Sequence, residues 1–293
     1  MSQVITVEQS RLVEQIQALP EQTYKLVAFD MDGTLLNAEH ALSERTIKAV
    51  QAAAEQGLHV LLATGRMASA VRTHLDLLKT PGLVVSHNGA VVKDLHTQEI
   101  WHSQSIAQNV VDHVLTLVEK VEVTALHFNY DEEILLVHPN PHSDDFARDL
   151  GVELTYVTSL RERNEGPTSI LFMDRKSVCD ELLASLQEAC PDGFDYVLIP
   201  WNEERWQFQL LPTQTSKGHG VLRVAEKLGI SPAEIISFGD SYNDLEMISE
   251  TGLGIAMGNA VPELKHVARL ITLSHEQDGV AVALEALLER GRR

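Results

Sequence analysis

The sequence predicts an α/β fold: a doubly wound, parallel-sheet domain interrupted by an inserted α+β domain. Three observations predict it. Short apolar runs without alternation recur in the first third of the chain, separated by amphipathic helical patterns, as strands buried on both faces of a parallel sheet require. Each run ends in polar or glycine residues, where open α/β sheets build their sites. The same pattern returns near residue 220, after a middle region of different character. A domain begun early is therefore finished late.

Residues 1–22 read as a short amphipathic helix ahead of the main domain. Thr6-Val7-Glu8-Gln9 resembles a capping box, Leu12, Val13, Ile16 and Leu19 follow at helical spacing, and Pro20 stops the pattern. Packing on the core is its simplest role; a dimer contact or a regulatory role are the alternatives. The first part of the core spans 23–90. Leu26-Val27-Ala28-Phe29 is a buried strand ending in Asp30-Met31-Asp32-Gly33-Thr34. A helix follows, with Ser43 as N-cap, Ile47, Val50 and Ala54 on one face and Gly57 as its stop. Val60-Leu61-Leu62-Ala63 ends in Thr64-Gly65-Arg66, and a helix over 68–78 leads to Pro81-Gly82. Leu83-Val84-Val85 ends in Ser86-His87-Asn88-Gly89. The inserted domain spans 91–210. Its apolar or alternating runs fall at 90–92, 125–130, 133–137, 153–157, 169–173 and 195–199, with helical patterns at 107–119 and 176–190 and a turn-like polar loop over 139–145. The second part of the core spans 211–293. A helix over 218–228 stops at Gly229, and Ser231-Pro232 opens a short one. Ile235-Ile236-Ser237-Phe238 ends in Gly239-Asp240-Ser241-Tyr242-Asn243-Asp244, and the last strands are Leu253-Gly254-Ile255-Ala256-Met257 and Leu270-Ile271-Thr272-Leu273.

Composition sets the outer bounds. At 293 residues the chain suits one domain with a second inserted or appended, and 44% hydrophobic with 22% charged residues is ordinary for a globular protein. Lys and Arg number 23 against 42 Asp and Glu, a formal net charge of −19. That balance argues against duplex DNA or an anionic membrane as partner, but a local cationic site can still bind a small phosphorylated molecule. Two cysteines, Cys179 and Cys190, allow neither a disulfide framework nor a four-cysteine zinc site, so they read as helix-packing thiols. No apolar stretch reaches the ~18 residues of a membrane span, and the N-terminus does not read as a secretory signal. A reduced cytoplasmic location is the simplest expectation.

The chemistry gathers at the strand ends. Asp30 and Asp32 stand two apart where the chain turns sharply, and carboxylates this close need a cation or a proton to coexist. Asp240 and Asp244 end another buried strand. Four carboxylates on one sheet edge make a hard oxygen site suited to Mg²⁺. Asp30 could attack phosphorus as a nucleophile while Asp32 protonates the leaving oxygen and later activates water. Thr64 offers a hydroxyl beside the flexible Gly65, and Lys217 lies in Thr215-Ser216-Lys217-Gly218 before a helix. Such donors stabilise a transferring phosphoryl group, and the lysine offsets the carboxylates.

These motifs, in this order, resemble the haloacid dehalogenase-like hydrolase superfamily, and more narrowly its Cof-type branch of sugar-phosphate and cofactor-phosphate phosphatases. Asn88-Gly89-Ala90, Ala256-Met257-Gly258-Asn259-Ala260 and Asp278-Gly279-Val280 match that branch too, and the resemblance covers nearly all of 23–284. It implies a Rossmann-like core with a cap inserted after the third strand. It also implies residue roles. Asp30 would form an aspartyl-phosphate, with Asp32 as general acid/base and its backbone carbonyl on Mg²⁺. Thr64, Gly65 and Asn243 would bind the phosphoryl oxygens, and Lys217 would bridge nucleophile and phosphate. Asp240 would ligate Mg²⁺, with Asp244 as ligand or support, so the metal set is Asp30, Asp32, Asp240 and Asp244. This chain departs from the branch pattern at Gln209 (often Glu), at Thr213-Gln214-Thr215 (often with a Gly), at His275 (often Asn) and in its extension 1–22.

Other residues carry weaker signals. His127, His138 and His142 match no zinc spacing and read as loop or surface histidines. His87, beside Asn88, is a candidate substrate contact. Arg66 could steer an anion or form a structural ion pair. Trp201, Glu204, Arg205 and Trp206 could close over a substrate or pack the hinge. The expected activity is a Mg²⁺-dependent phosphatase of a small phosphorylated metabolite, working as a monomer or homodimer. A phosphomutase of the same superfamily and a non-catalytic phosphometabolite-binding protein are the alternatives.

Overall fold

The protein is described by a computed structural model over residues 7–161, 163, 165–202 and 204–291. The capping box expected at Thr6 lies outside the described residues. The chain opens with helix α1 (Val7–Gln17), whose Leu12 and Ile16 are buried in the main core. There follow β1 (Leu26–Phe29), α2 (Glu44–Glu55), β2 (His59–Ala63), α3 (Arg72–Leu78), β3 (Leu83–Ser86), β4 (Val91–Asp94) and β5 (Ile100–Ser103). The middle of the chain forms α4 (Gln108–Val118), β6 (Ala125–Tyr130), β7 (Glu133–Leu136), α5 (Pro141–Leu150), β8 (Leu154–Tyr156), β9 (Ser169–Asp174), α6 (Lys176–Ala189), β10 (Asp195–Pro200) and β11 (Trp206–Leu211). The end forms α7 (Lys217–Leu228), β12 (Ile235–Gly239), α8 (Leu245–Glu250), β13 (Leu253–Ala256), α9 (Pro262–Val267), β14 (Leu270–Ile271) and α10 (Gly279–Gly291).

The first sheet runs β14-β13-β12-β1-β2-β3-β4-β5, parallel from β14 to β3. From β1 the chain winds one way through β2 and β3, and after the insertion it winds the other way from β12. The strand order therefore reverses between β1 and β12, where open α/β sheets place their ligand crevice. Parallel register pairs Phe29 with Phe238 and stacks their rings 5.3 Å apart, so Asp30 and Asp240 leave adjacent strands side by side.

The strands β4 and β5 add antiparallel to this sheet. The residues that build it thus run to Ser103, past Ala90, where the sequence places the start of the insertion. The short run at 90–92 is apolar because it is buried in the larger sheet, a fact that periodicity alone does not carry. The polar stretch 139–145 is also more than a turn. Asn140 caps Ser143 N with its side chain and Pro141 takes the first helical position, so α5 begins inside it.

The second sheet runs β10-β11-β9-β6-β7-β8 and is antiparallel except for β7 with β8. Its residues alternate. Phe128, Ile170, Phe172, Phe208 and Leu210 pack with Val110, Val114, Cys179 and Leu182 of α4 and α6, and both cysteines are free, buried thiols. The opposite face, with Asn129, Leu171 and Gln209, looks onto the strand ends of the first sheet.

Within the first-sheet domain, the turn between β3 and β4 meets the start of α7 in a tight contact. His87, Asn88 and Gly89 all have positive φ, and a Cβ on Gly89 (φ +105°) would lie 2.0 Å from the carbonyl oxygen of Ser216, the N-cap of α7. Gly57 also has positive φ (+92°) but faces open space. Gly89→Ala therefore carries both conformational strain and a backbone clash, and should lower the melting temperature by roughly 5 °C or more, whereas Gly57→Ala pays strain alone and should cost roughly half of that or less. Equal shifts in thermal denaturation would contradict the tight contact.

Candidate active site

The end of β1 delivers Asp30 and the first turn of α7 delivers Lys217. The Lys217 ammonium donates to Asp30 Oδ1 at 2.5 Å and to Asp244 Oδ1 at 2.8 Å, and it is 2% exposed. Asp244 is fully buried. Its Oδ2 accepts the backbone N–H groups of Asp240 and Ser241 at 3.0 Å each, which closes the turn after β12 and leaves no oxygen idle. Asp240 stands next to it, with Oδ1 buried and without a partner among the described residues. Asn259 steadies its other oxygen at 3.3 Å and also donates to the Gly33 carbonyl at 2.8 Å. Gly33 has φ +78°, and any Cβ there would sit 2.3 Å from Asp240 Oδ2, so the sharp turn after Asp32 is also the space that Asp240 occupies.

The electrostatics are lopsided. Oxygens of Asp30, Asp240 and Asp244 lie within 4.8 Å of one another with one ammonium among them. Burial, reinforced by the charge of Asp244, pushes the Asp30 carboxyl up to about 7 against the pull of Lys217. Burial and the charges of Asp30 and Asp244 push Asp240 up to about 9. Lys217 is held above the ordinary range: burial works to lower it, and the two aspartates outweigh burial. Three converging carboxylates, one with an oxygen that has no partner among the described residues, form a donor set that fits a divalent ion bound by oxygen.

The carboxylate of Asp32 is not in this cluster. Arg66 grips it with two hydrogen bonds, one of 2.8 Å from Nε to Oδ2 and one from Nη2 to Oδ1, and His40 Nδ1 lies 3.4 Å away. Burial works against ionisation of Asp32, but the hydrogen bonds and charge of Arg66 prevail and hold it below the usual carboxylate range. Of the four carboxylates expected around one metal, three converge, and Asp32 could join only through its backbone. Arg66 thus forms an ion pair while still lining the cavity.

A cavity of about 370 Å³ lies between the strand ends and the second sheet. Asp30, Asp32, Thr64, Gly65, Lys217, Asp240 and Asn243 all line it, while Asp244 stands behind them. Thr64 is 1% exposed and its Oγ1 accepts the Arg66 backbone N–H at 3.1 Å. A chain of hydrogen bonds then crosses from the first sheet to the second. Asn243 donates to Asn88 at 2.9 Å, Asn88 to Gln209 at 2.7 Å, and Gln209 to Ser169 at 2.9 Å. Ser169 meets His87 Nδ1 at 3.4 Å, and His87 Nε2 donates to the Asp131 carbonyl at 2.7 Å. Burial lowers the pKa of His87, in keeping with a neutral ring that accepts at one nitrogen and donates at the other.

His87 and Gln209 both stand out in the sequence, but their link through Ser169 does not. The one available signal was the polar His87-Asn88-Gly89 at a strand end. His275 contributes its backbone N–H to Asn259 Oδ1 at 3.0 Å, so its departure from the branch pattern leaves that contact in place. His127 is a core residue: Nε2 pairs with Ser143 Oγ at 2.7 Å and burial drops its pKa to about 4. Among the described residues, no histidine joins a group able to hold a metal.

Known proteins are similar to this chain over most of its length. YxeH of Bacillus subtilis (strain 168) is 33% identical over 277 residues, covering 90% of this chain and 98% of its own. The 5-amino-6-(5-phospho-D-ribitylamino)uracil phosphatase YitU of the same organism is 29% identical over 261 residues, covering 87% of this chain and 94% of its own. The solved structure of the subclass IIB sugar phosphatase BT4131 superposes with a TM-score of 0.76 at 26% identity, covering 89% of this chain and 98% of that one. Residues 27–284 match the family described as haloacid dehalogenase-like hydrolase, and this chain belongs to that family.

Proposed function

We propose that the protein is a cytoplasmic, Mg²⁺-dependent phosphatase of a small phosphorylated metabolite, a sugar phosphate or a cofactor or vitamin phosphate, acting through an aspartyl-phosphate. The observation that carries the reading is the buried Asp30–Lys217–Asp244 triad, with Asp240 beside it, at the point where the strand order reverses. Relatives named as phosphatases support the reaction class.

Lys217 holds one oxygen of Asp30 and leaves the other to attack phosphorus. As the new P–O bond forms, the ester P–O bond breaks and the leaving oxygen takes a proton from Asp32, which must first part from Arg66 and bind that proton. Asp32 then removes a proton from water, which attacks the acyl-phosphate, releases inorganic phosphate and restores the Asp30 carboxylate. Lys217, Thr64 and Asn243, with the Gly65 backbone, offer donors to the phosphoryl oxygens. Mg²⁺ fits Asp30, Asp240 and the Asp32 backbone, with Asp244 in support; when bound it supplies positive charge to the phosphoryl group. The second sheet roofs the cavity and limits access of bulk water during the reaction.

Asp30→Asn should lower kcat by about 10³-fold or more, because the amide cannot attack phosphorus. Mg²⁺-dependent phosphate release and trapping of acid-stable label on the protein check this, and undiminished release by the variant would remove Asp30 as nucleophile.

Asp30 and Asp240 have folded-state pKa values raised to about 7 and about 9. For an acid raised on folding, stability is lost as pH climbs from its unfolded value through the folded one. Metal binding must displace the same protons, so the rise in melting temperature produced by Mg²⁺ should be larger at pH 8.5 than at pH 6. A rise that is equal or larger at pH 6 would mean that these carboxyls are not the metal's ligands.

A further inference from the structure

Resting on the phosphatase reading, we propose that the cavity selects monoesters whose alcohol carries no second anionic group and presents a flat ring, in preference to polyhydroxylated sugar phosphates. The roof supplies the argument. Val197 pairs in register with Gln209 and Gln209 with Leu171, and Ile199 pairs with Gln207 in a neighbouring row. Opposed residues share a face and stand ~5 Å apart, so these side chains form a level platform above the strand ends. Val197, Ile199 and Leu171 give it aliphatic flanks on either side of the two glutamines. Trp201, just after β10, and Phe146, on α5, both line the cavity and pack against the cluster that contains Leu171. Met67, from the turn after β2, meets Ile134 on a further wall. A flat ring buries its face against the Trp201, Phe146 and aliphatic side chains, whereas a hexose would bring most of its hydroxyls to carbon.

The polar groups of the roof are mostly spent. Both ends of the Gln209 amide are engaged, by Asn88 and Ser169, and Asn129 donates to Ser169 at 2.9 Å. The Gln207 amide is unengaged among the described residues and could meet the polar edge of a ring.

Charge narrows the choice further. Arg66 and Lys217 are the Lys and Arg residues of the lining, and both sit at the phosphate end against aspartates. The inserted segment sends neither Lys nor Arg into the cavity among the described residues, and it does send Asp149. A second phosphate or a carboxylate on the substrate would find repulsion there and no counter-ion.

The test compares three esters of primary alcohols with similar intrinsic reactivity: pyridoxine 5′-phosphate, glucose 6-phosphate and 6-phosphogluconate. With Mg²⁺, kcat/KM should fall at least tenfold from the first to the second and further to the third. Trp201→Ala should shrink the first ratio fivefold or more. Gln207→Lys, which adds a cation to the roof, should raise kcat/KM for 6-phosphogluconate relative to glucose 6-phosphate by fivefold or more, a gain that misfolding cannot produce. Metal-dependent hydrolysis that favours glucose 6-phosphate or 6-phosphogluconate would overturn this inference and leave the phosphatase reading standing. No metal-dependent release from any of the three, by a protein that still gains thermal stability with Mg²⁺, would overturn both.

Discussion

A buried ammonium between two buried aspartates is the interaction around which the sheet edge is organised. An ion pair removed from water stays favourable only when its geometry is good and the remaining polar atoms are satisfied. Lys217 meets that condition through Asp30 and Asp244, and Asp244 meets it by also closing the turn after β12 with two backbone N–H bonds. Much of the nearby backbone follows from this. Ser216 must cap α7 so that Lys217 enters from the first helical turn, and Gly89 must yield its Cβ so that Ser216 can sit there. Phe29 and Phe238 stack one residue below Asp30 and one below Gly239, and hold the two strand ends at a fixed separation.

How much of this was legible follows from the range of each interaction. The strands β1, β2, β3, β12 and β13 were readable because burial on both faces leaves unbroken apolar runs, and most of the site residues follow directly from those runs. The run at 90–92 does not say which sheet β4 joins, and the largely exposed β5 carries no such run to read. Over 139–145 Asn and Pro signal a turn and a helix start equally well, and only the half-buried Phe146 and Leu150, facing the cavity one helical turn apart, decide between them. The hydrogen-bond chain through Asn88, Gln209, Ser169 and His87 joins residues 40 to 121 positions apart, which no local pattern encodes. Nor did spacing reveal that Asp32 faces Arg66 and not the other carboxylates.

That chain also accounts for a costly piece of backbone. His87 and Asn88 hold positive φ, each at a cost of about 1–3 kcal/mol, and such strain persists only where surrounding contacts over-determine it. Here the side chains of both residues are buried and bonded into the second sheet. The turn after β6 adds a second tie, since Glu132 accepts from Ser69 N at 3.0 Å and from Lys93 at 3.1 Å, and Asp131 accepts from Lys93 at 3.3 Å. The inserted sheet is thereby docked by polar contacts at the rim of the cavity, while the cavity itself stays open between them.

The charge count around that opening bears on how a phosphate could enter at all. Asp30, Asp32, Asp240 and Asp244 face two fixed cations, Lys217 and Arg66, so the ionised cluster carries an excess of two negative charges. A phosphoryl dianion brought into that field would be repelled at short range and low dielectric. Burial and mutual repulsion raise the Asp30 and Asp240 carboxyls and so favour proton uptake by the cluster. A protonated Asp30 is a poor nucleophile, so relief by protons and attack on phosphorus exclude each other. A divalent cation removes the same excess without occupying the attacking oxygen with a proton. On the proposed reading, phosphate binding and attack by Asp30 would share one requirement, a divalent cation, and the partnerless oxygen of Asp240 is placed to hold it.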